Sequence, residues 1–202
     1  MLLFADAEIP KPKYVAEAVL TWNQNQVGFA NLSVKEQQFY YWVNYSRIDP
    51  IRFFDSVVKP MAEIYPQLKG KNYASLESEL KSTQNLPLFS LNEDLAKMAA
   101  YHATDITSHN VSPSHNSFNG ETFAQRFMKF NLKNCGGENI SNGPGSADIL
   151  FMLVLLYLDI NVPDLGHRKS LLNRSFINTG VAISSYKNGN TFIVEDFACD
   201  QK

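Results

Sequence analysis

The sequence lacks the features by which several large classes of protein are recognised. It has 18 basic and 20 acidic residues, a net charge of −2 and no long run of like charges. A nucleic-acid-binding protein usually carries a basic patch, and anionic membranes attract basic segments, so neither partner is predicted. The longest apolar run, residues 149–158, falls well short of the roughly 20 residues that a membrane-spanning helix needs, so no transmembrane segment is predicted.

Motifs of the common enzyme classes are missing as well. The chain has no HExxH zinc-protease motif, no GxSxG nucleophile elbow and no phosphate-binding loop. Its two cysteines, Cys135 and Cys199, are 64 positions apart rather than in a CxxC pair, which argues against a zinc knuckle or a thiol redox centre. The residues leave a disulfide and two buried thiols open, and we expect free thiols slightly more than a disulfide.

The composition is that of a folded domain. Hydrophobic residues make up 45% of the chain and aromatic residues 12%, which allows a sizeable core. Met1 to Ala7 is similar to the end of a secretory signal, with apolar residues before Ala-x-Ala, but lacks a basic start and a full apolar stretch. We expect residues 1–32 to be an extended lead-in with a short helix over 14–20, and the domain to occupy 33–202.

Helical spacing and capping motifs predict that most of the domain is helical. Ser33 and Glu36 form a capping box at the start of one helix, and Ser90 and Glu93 form another before apolar residues spaced three and four apart. The long apolar run is predicted to be a helix buried on most sides. The predicted helices are 34–46, 50–60, 73–83, 92–107, 122–131, 146–159 and 166–173.

Near the end of the chain the pattern changes from helical to strand-like. Residues 181–183 and 192–194 are strand-like runs, and Asn188-Gly189 between them is typical of a hairpin with a type I′ turn. Helices followed by a hairpin predict an α+β fold in which helices cover a small antiparallel sheet.

The four histidines differ in their surroundings. His102 lies on the apolar stripe of its helix, where a packed, hydrogen-bonded core histidine is the expected interpretation. His109 and His115 lie in a long polar loop, 108–120, and a loop of that length inside a domain is usually functional or mobile. His167 stands at the start of a helix in Gly-His-Arg, where it needs no function.

Two acidic residues stand in positions that suggest a site. Glu138 follows two glycines, so we expect a sharp turn that presents its carboxylate from a restrained position. Asp159 ends the buried helix. A carboxylate beside a histidine holds the tautomer of the ring and favours its charged form. The residues by themselves leave a shared site and scattered polar residues equally open.

The order of several short motifs resembles a bacterial CAP domain, the superfamily of cysteine-rich secretory, antigen 5 and pathogenesis-related proteins. The resemblance covers about 34–198, and the combination of motifs is specific although each motif alone is weak. The motifs are Asn44-x-x-Arg47, Ala100-x-His102-Ala103-x-Asp105, Ser114-His115 with Gly120 and Arg126, Gly137-Glu138-Asn139-Ile140, Gly166-His167-Arg168 and Val194-Glu195-Asp196-Phe197.

This resemblance implies a three-layer α-β-α sandwich with a central antiparallel sheet and a cleft of two histidines and two acids. His115, Glu138 and His167 match three of these positions. Asp159 lies where eukaryotic members place a second glutamate, but Leu-Tyr-Leu-Asp-Ile departs from the usual tryptophan-containing helix, so a site of three residues stays open. In some members the cleft binds a divalent metal, which implies His115 and His167 as ligands for zinc or calcium.

Three functions remain open. The first, which we expect most, is an extracellular module that binds a lipid, glycan or protein ligand in the cleft. The second is a hydrolase in which a histidine or a metal-bound water attacks a peptide or ester, with Glu138 as the base and Ser114 as a candidate nucleophile. In the third, the cluster only ties the 108–120 loop to the core.

Overall fold

The computed structural model describes residues 9 and 11–201, and in this part of the chain a four-stranded sheet lies between two layers of helices. The signal-like segment Met1–Ala7 lies outside the described residues. The strands are β1 (Ser90–Leu91), β2 (Gly136–Gly143), β3 (Asn178–Ser185) and β4 (Thr191–Ala198). The α-helices are α1 (Glu17–Gln24), α2 (Val34–Ile48), α3 (Pro50–Phe53), α4 (Lys59–Ile64), α5 (Lys71–Ser82), α6 (Glu93–His109), α7 (Phe123–Lys129), α8 (Ile149–Leu158) and α9 (Gly166–Leu171).

The sheet has the strand order β1-β3-β4-β2, and β2 is therefore an edge strand. The β3–β4 pair is antiparallel, as predicted, and the β2–β4 pair is antiparallel as well. The two residues of β1 add a short parallel pair beside β3 that the sequence did not predict. The C-terminal hairpin is confirmed, but its turn is not type I′, because Gly189 has a positive φ of 84° whereas Asn188 does not.

Alternation along β4 divides the core between the two faces of the sheet. Phe192 and Val194 face α6, where they pack with Ala99, Ala103 and Ile106. Ile193 and Phe197 face the opposite way, in the larger core that contains α2 and the apolar helix α8. The predicted α-β-α sandwich is therefore confirmed. No helix in the described ranges is long and apolar enough to cross a membrane.

The three main predicted helices are present as α2, α6 and α8, with two differences at helix ends. The capping box of α2 is confirmed, since Ser33 Oγ accepts from the Glu36 amide and Glu36 accepts from that of Ser33. The second capping box is wrong, because Asn92 caps α6. Pro60 does not end its helix, because it lies in the first turn of α4, which continues from a π-helical turn at Phe54–Val58.

Strand β2 is the element that the sequence concealed. Its first residues are Gly136 and Gly137, which carry no side chain and therefore give no alternating apolar signal. A Cβ atom on Gly136 would overlap the ring of Phe127, so close packing requires glycine there. The prediction that Glu138 follows a sharp turn is thus wrong, because it projects from an edge strand.

The cysteines are joined, so the expectation of free thiols is wrong. Cys135 precedes β2 and Cys199 follows β4, and these strands pair in the register Gly136↔Ala198. The register brings the two cysteine Cα atoms to 5.4 Å, within the range that a disulfide spans. The Cys199 amide also donates to the Cys135 carbonyl. The sequence did not predict the bond because it depends on a strand that was missed.

Candidate functional site

The first histidine of the candidate site is held by a buried carboxylate. Glu138 projects from β2 with only 2% of its side chain exposed, whereas His115 lies in the loop after α6 and is 54% exposed. His115 Nδ1 lies 2.8 Å from Glu138 Oε1, and Oε2 of the same carboxylate accepts from Arg126 at 2.6 Å. Both oxygens of Glu138 are therefore engaged, and the imidazole is oriented with Nδ1 inward.

Arg126 fixes the loop that carries His115. Its guanidinium, fully buried on α7, donates to the carbonyls of His115 and Glu121 and to the hydroxyl of Ser117. The sequence placed Arg126 in a motif but gave it no role, because helical spacing does not distinguish a buried arginine from an exposed one. Arg126 makes three bonds between loop and core, whereas the side chain of His115 makes one.

The Glu138 carboxylate is charged despite its burial. Burial raises its pKa, but the hydrogen bond from His115 and the positive charge of Arg126 outweigh that effect and leave the pKa below its ordinary value. A carboxylate with a lowered pKa and both oxygens occupied is a good acceptor for a histidine N–H and a poor general base.

His102 is the packed core histidine that the sequence predicted. It is fully buried on α6, and its Nε2 bonds the carbonyl of Ser114 at 2.8 Å. Burial lowers its pKa, so the ring is neutral. His102 therefore anchors the residue before His115. His109 was predicted to lie in the loop but is the last residue of α6, where it stacks on Phe118 with ring centres 4.0 Å apart.

The second histidine is held in the same way. Asp159 caps the C-terminal end of α8 with a left-handed φ of 49°, and its side chain is fully buried. Its Oδ1 lies 2.5 Å from His167 Nδ1, and its Oδ2 accepts from the amide of Arg168. A non-glycine residue in this backbone region is uncommon, and here it turns the carboxylate toward the first turn of α9.

The two histidine–carboxylate pairs are connected through neighbouring residues of the edge strand β2. Glu138 and Asn139 are consecutive on β2, so their side chains leave opposite faces. Glu138 holds His115, and Asn139 Nδ2 donates to the backbone carbonyl of His167 at 3.1 Å. The edge strand thus positions both pairs, one from each side.

The atoms of this site that could bind a metal are imidazole nitrogens. Both Nδ1 atoms are bonded to carboxylates, the usual arrangement behind a metal-bound histidine, which leaves the Nε2 atoms of His115 and His167 as donors. Zinc accepts such nitrogens, whereas calcium requires oxygen ligands and both carboxylates are engaged. Among the described residues, no group of three or more His, Cys, Asp or Glu side chains is arranged to hold a metal.

Ser114 is not arranged as a nucleophile. Its hydroxyl accepts from the amide of Asn116, two residues further on, which is a local turn contact. The neighbouring His115 directs Nδ1 to Glu138 instead. A serine–histidine pair of the kind that activates a nucleophile is therefore not formed at this position.

An α-β-α sandwich with histidine–carboxylate pairs at the edge of its sheet defines the class of protein. The model of the cysteine-rich secretory protein family, CAP, matches residues 41–197, and the chain belongs to this family. No curated protein matches the sequence.

Solved structures of other proteins have a similar fold at low sequence identity. An extracellular protein with an SCP domain from Bacillus anthracis is 20% identical with a TM-score of 0.50, and the match covers 82% of this chain and 40% of that one. Venom allergen-like protein 4 of Schistosoma mansoni is 14% identical with a TM-score of 0.53, over 83% of this chain and 90% of that one. This chain thus spans less than half of the Bacillus anthracis protein.

Proposed function

We propose that the chain is an extracytoplasmic binding module in which His115, Glu138, Asp159 and His167 form one ligand-binding cleft. The observation that carries the proposal is the shared arrangement of the two histidines. Each turns Nδ1 to a buried carboxylate, and Nε2 of each makes no hydrogen bond within the described ranges. Two oriented and partly exposed imidazoles can bind the polar group of a lipid, a glycan or a protein.

The disulfide supports a location outside the cytoplasm. Disulfides persist in oxidising compartments and are rare in the reducing cytosol, so the Cys135–Cys199 bond favours export. The signal-like residues at the start of the sequence agree with this. The Bacillus anthracis protein of the same fold is described as extracellular.

Metal binding is a second candidate, favoured by the carboxylates behind both imidazoles. Zinc would be held by Nε2 of His115 and of His167, with its other positions open to water or ligand. Such a zinc would supply electrophilic assistance to a bound polar group. The hydrolase alternative is weaker, because both oxygens of Glu138 are occupied and its pKa is lowered.

The purely structural alternative predicts a stabilising role for the histidines. Against it, Arg126 and His102 already bond the loop to the core, whereas His115 is more than half exposed and adds one bond. Removing the imidazole of His115 should therefore cost little stability, and removing the guanidinium of Arg126 should cost much more.

The test is a pull-down with lipid vesicles and with isolated bacterial cell wall, scored for the wild type and a His115→Ala/His167→Ala double variant. His109→Ala is the matched control, because His109 is an exposed histidine outside the site. Binding that is lost in the double variant and kept in the control supports the cleft. Equal binding by all three proteins contradicts it. Elemental analysis for zinc at pH 7.5 on the same samples tests the metal candidate.

A further inference from the structure

Two consecutive acidic residues on β4, Glu195 and Asp196, are buried in the sheet. Asp196 lies directly opposite Glu138 in the β2–β4 register. Residues opposite each other in an antiparallel pair have their side chains on the same face, with Cβ atoms about 4.5–5.5 Å apart. The sheet therefore places a second carboxyl group directly behind the carboxylate that holds His115.

No hydrogen-bond donor in the described ranges contacts the carboxyl group of Asp196. Both of its carboxyl oxygens are inaccessible to water and accept no hydrogen bond within the described ranges. Arg126 is the cation on this face, but it donates to Glu138, to the loop carbonyls and to Ser117, and its Nε makes no bond to Asp196. An ionised carboxylate without a donor is expensive to bury, so the group needs a proton of its own.

We propose that Asp196 is a positioning residue that carries a proton at neutral pH and donates it in a hydrogen bond to the Glu138 carboxylate. Glu138 then accepts from three donors, namely His115, Arg126 and Asp196. Together they hold the carboxylate in one place and keep it charged. The carboxylate then accepts a hydrogen bond from Nδ1–H of His115, and Nε2 of the ring stays free. The inference rests on the proposed function only in giving His115 a purpose.

The charged groups around Asp196 agree with a neutral acid. Burial, and next the negative charge of Glu138, raise the pKa of Asp196 well above its ordinary value, and a hydrogen bond between the two carboxyl groups acts in the same direction. Arg126 on α7 lowers this pKa, while Glu195 on the other face of the same strand raises it. His102 on α6 interacts with Glu138 and Arg126 but is neutral.

Carbon-13 NMR of aspartate carboxyl groups, recorded against pH on the full chain, tests the proposal without any ligand. The Asp196 signal is expected to keep the position of a protonated carboxyl at neutral pH, so that its midpoint lies well above the ordinary value of about 3.9. In Glu138→Gln, which removes the neighbouring charge, the midpoint should fall. A wild-type Asp196 signal at the position of an ionised carboxylate at pH 7 overturns the proposal.

The positioning role is tested by the ring nitrogens of His115, which a merely structural residue would not change. Asp196→Asn supplies an amide donor and should keep the Nδ1–H form of His115, whereas Asp196→Ala should lose it. Glu195→Gln, on the opposite face of the same strand, is the matched control and should leave His115 unchanged. Retention of the Nδ1–H form in Asp196→Ala overturns the role, and if that variant does not fold, the wild-type titration decides. Failure of the ligand pull-down would leave both results standing.

Discussion

His115 Nδ1 and Glu138 Oε1 lie 2.8 Å apart although the two residues are 23 positions apart in the sequence. The contact exists because a loop fixed by Arg126 and His102 meets an edge strand at that point. His167 and Asp159 repeat the arrangement on the other side of the strand. Each histidine therefore depends on buried groups that belong to different elements, and the predictions below test those groups.

Arg126→Ala should destabilise the protein by about 3–5 kcal/mol, because it leaves the buried charge of Glu138 without its partner. Urea unfolding followed by circular dichroism measures the change. Lys129→Ala removes an exposed cation from the same helix and should stay within about 0.5 kcal/mol. Equal losses for the two variants would contradict the role given to Arg126.

Reduction of the disulfide should lower the free energy of unfolding by about 2–5 kcal/mol, since Cys135–Cys199 closes a long loop in the unfolded chain. Thermal unfolding with and without reductant measures this, and Cys135→Ser/Cys199→Ser should reproduce the reduced protein. Titration of thiols in the denatured, unreduced protein should find none. Two free thiols per chain would show that the bond is not formed.

Stability should fall as the pH rises from about 5 to about 8, and Glu195 should account for part of this. Burial raises the pKa of Glu195 to about 8, while the unfolded chain has its ordinary value near 4.5, so the folded state binds more protons between these two limits. The contribution of Glu195 to stability is complete below its pKa in the unfolded chain. It is lost as the pH rises through its pKa in the folded state.

Glu195→Gln should therefore flatten the decline, which unfolding measured at several pH values will show. Glu63→Gln is the control, because Glu63 is exposed on α4 and its pKa is not raised. The same steep decline in Glu195→Gln as in the wild type would mean that Glu195 is ionised when buried.

Gly136→Ala should cost about 1–3 kcal/mol, because the added methyl group would overlap the Phe127 ring behind the strand that carries Glu138. Gly143→Ala at the other end of β2 is the matched control, since its methyl group would meet Met152 at an ordinary 3.5 Å. Comparable stabilities for the two variants would contradict the tight packing of β2 on α7.

Most elements of the fold could be predicted from local signals in the sequence. The α2 capping box, the apolar stripe of α6 and the apolar run of α8 gave helices, and Asn188-Gly189 gave the hairpin. Strand β2 was not predicted, because it begins with two glycines and most of its other residues are polar. The Cys135–Cys199 bond escaped with it, because only the register of β2 on β4 brings the two cysteines together.

The residues of the candidate site could be proposed from the sequence, but the groups that support them could not. His115, Glu138, His167 and Asp159 follow from the order of the family motifs. The bonds of Arg126 and the carboxyl of Asp196 depend on which face of a helix or strand is buried, and this is settled only by tertiary packing.

The central claim is that buried carboxylates hold both site histidines with Nε2 turned outward, and the most direct test is nitrogen-15 NMR of the histidine rings. In the neutral form of each ring, the proton is expected on Nδ1, where the carboxylate accepts the hydrogen bond. His115→Ala and His167→Ala assign the signals. Nδ1–H forms for both His115 and His167 agree with the account, and an Nε2–H form at either residue would contradict it.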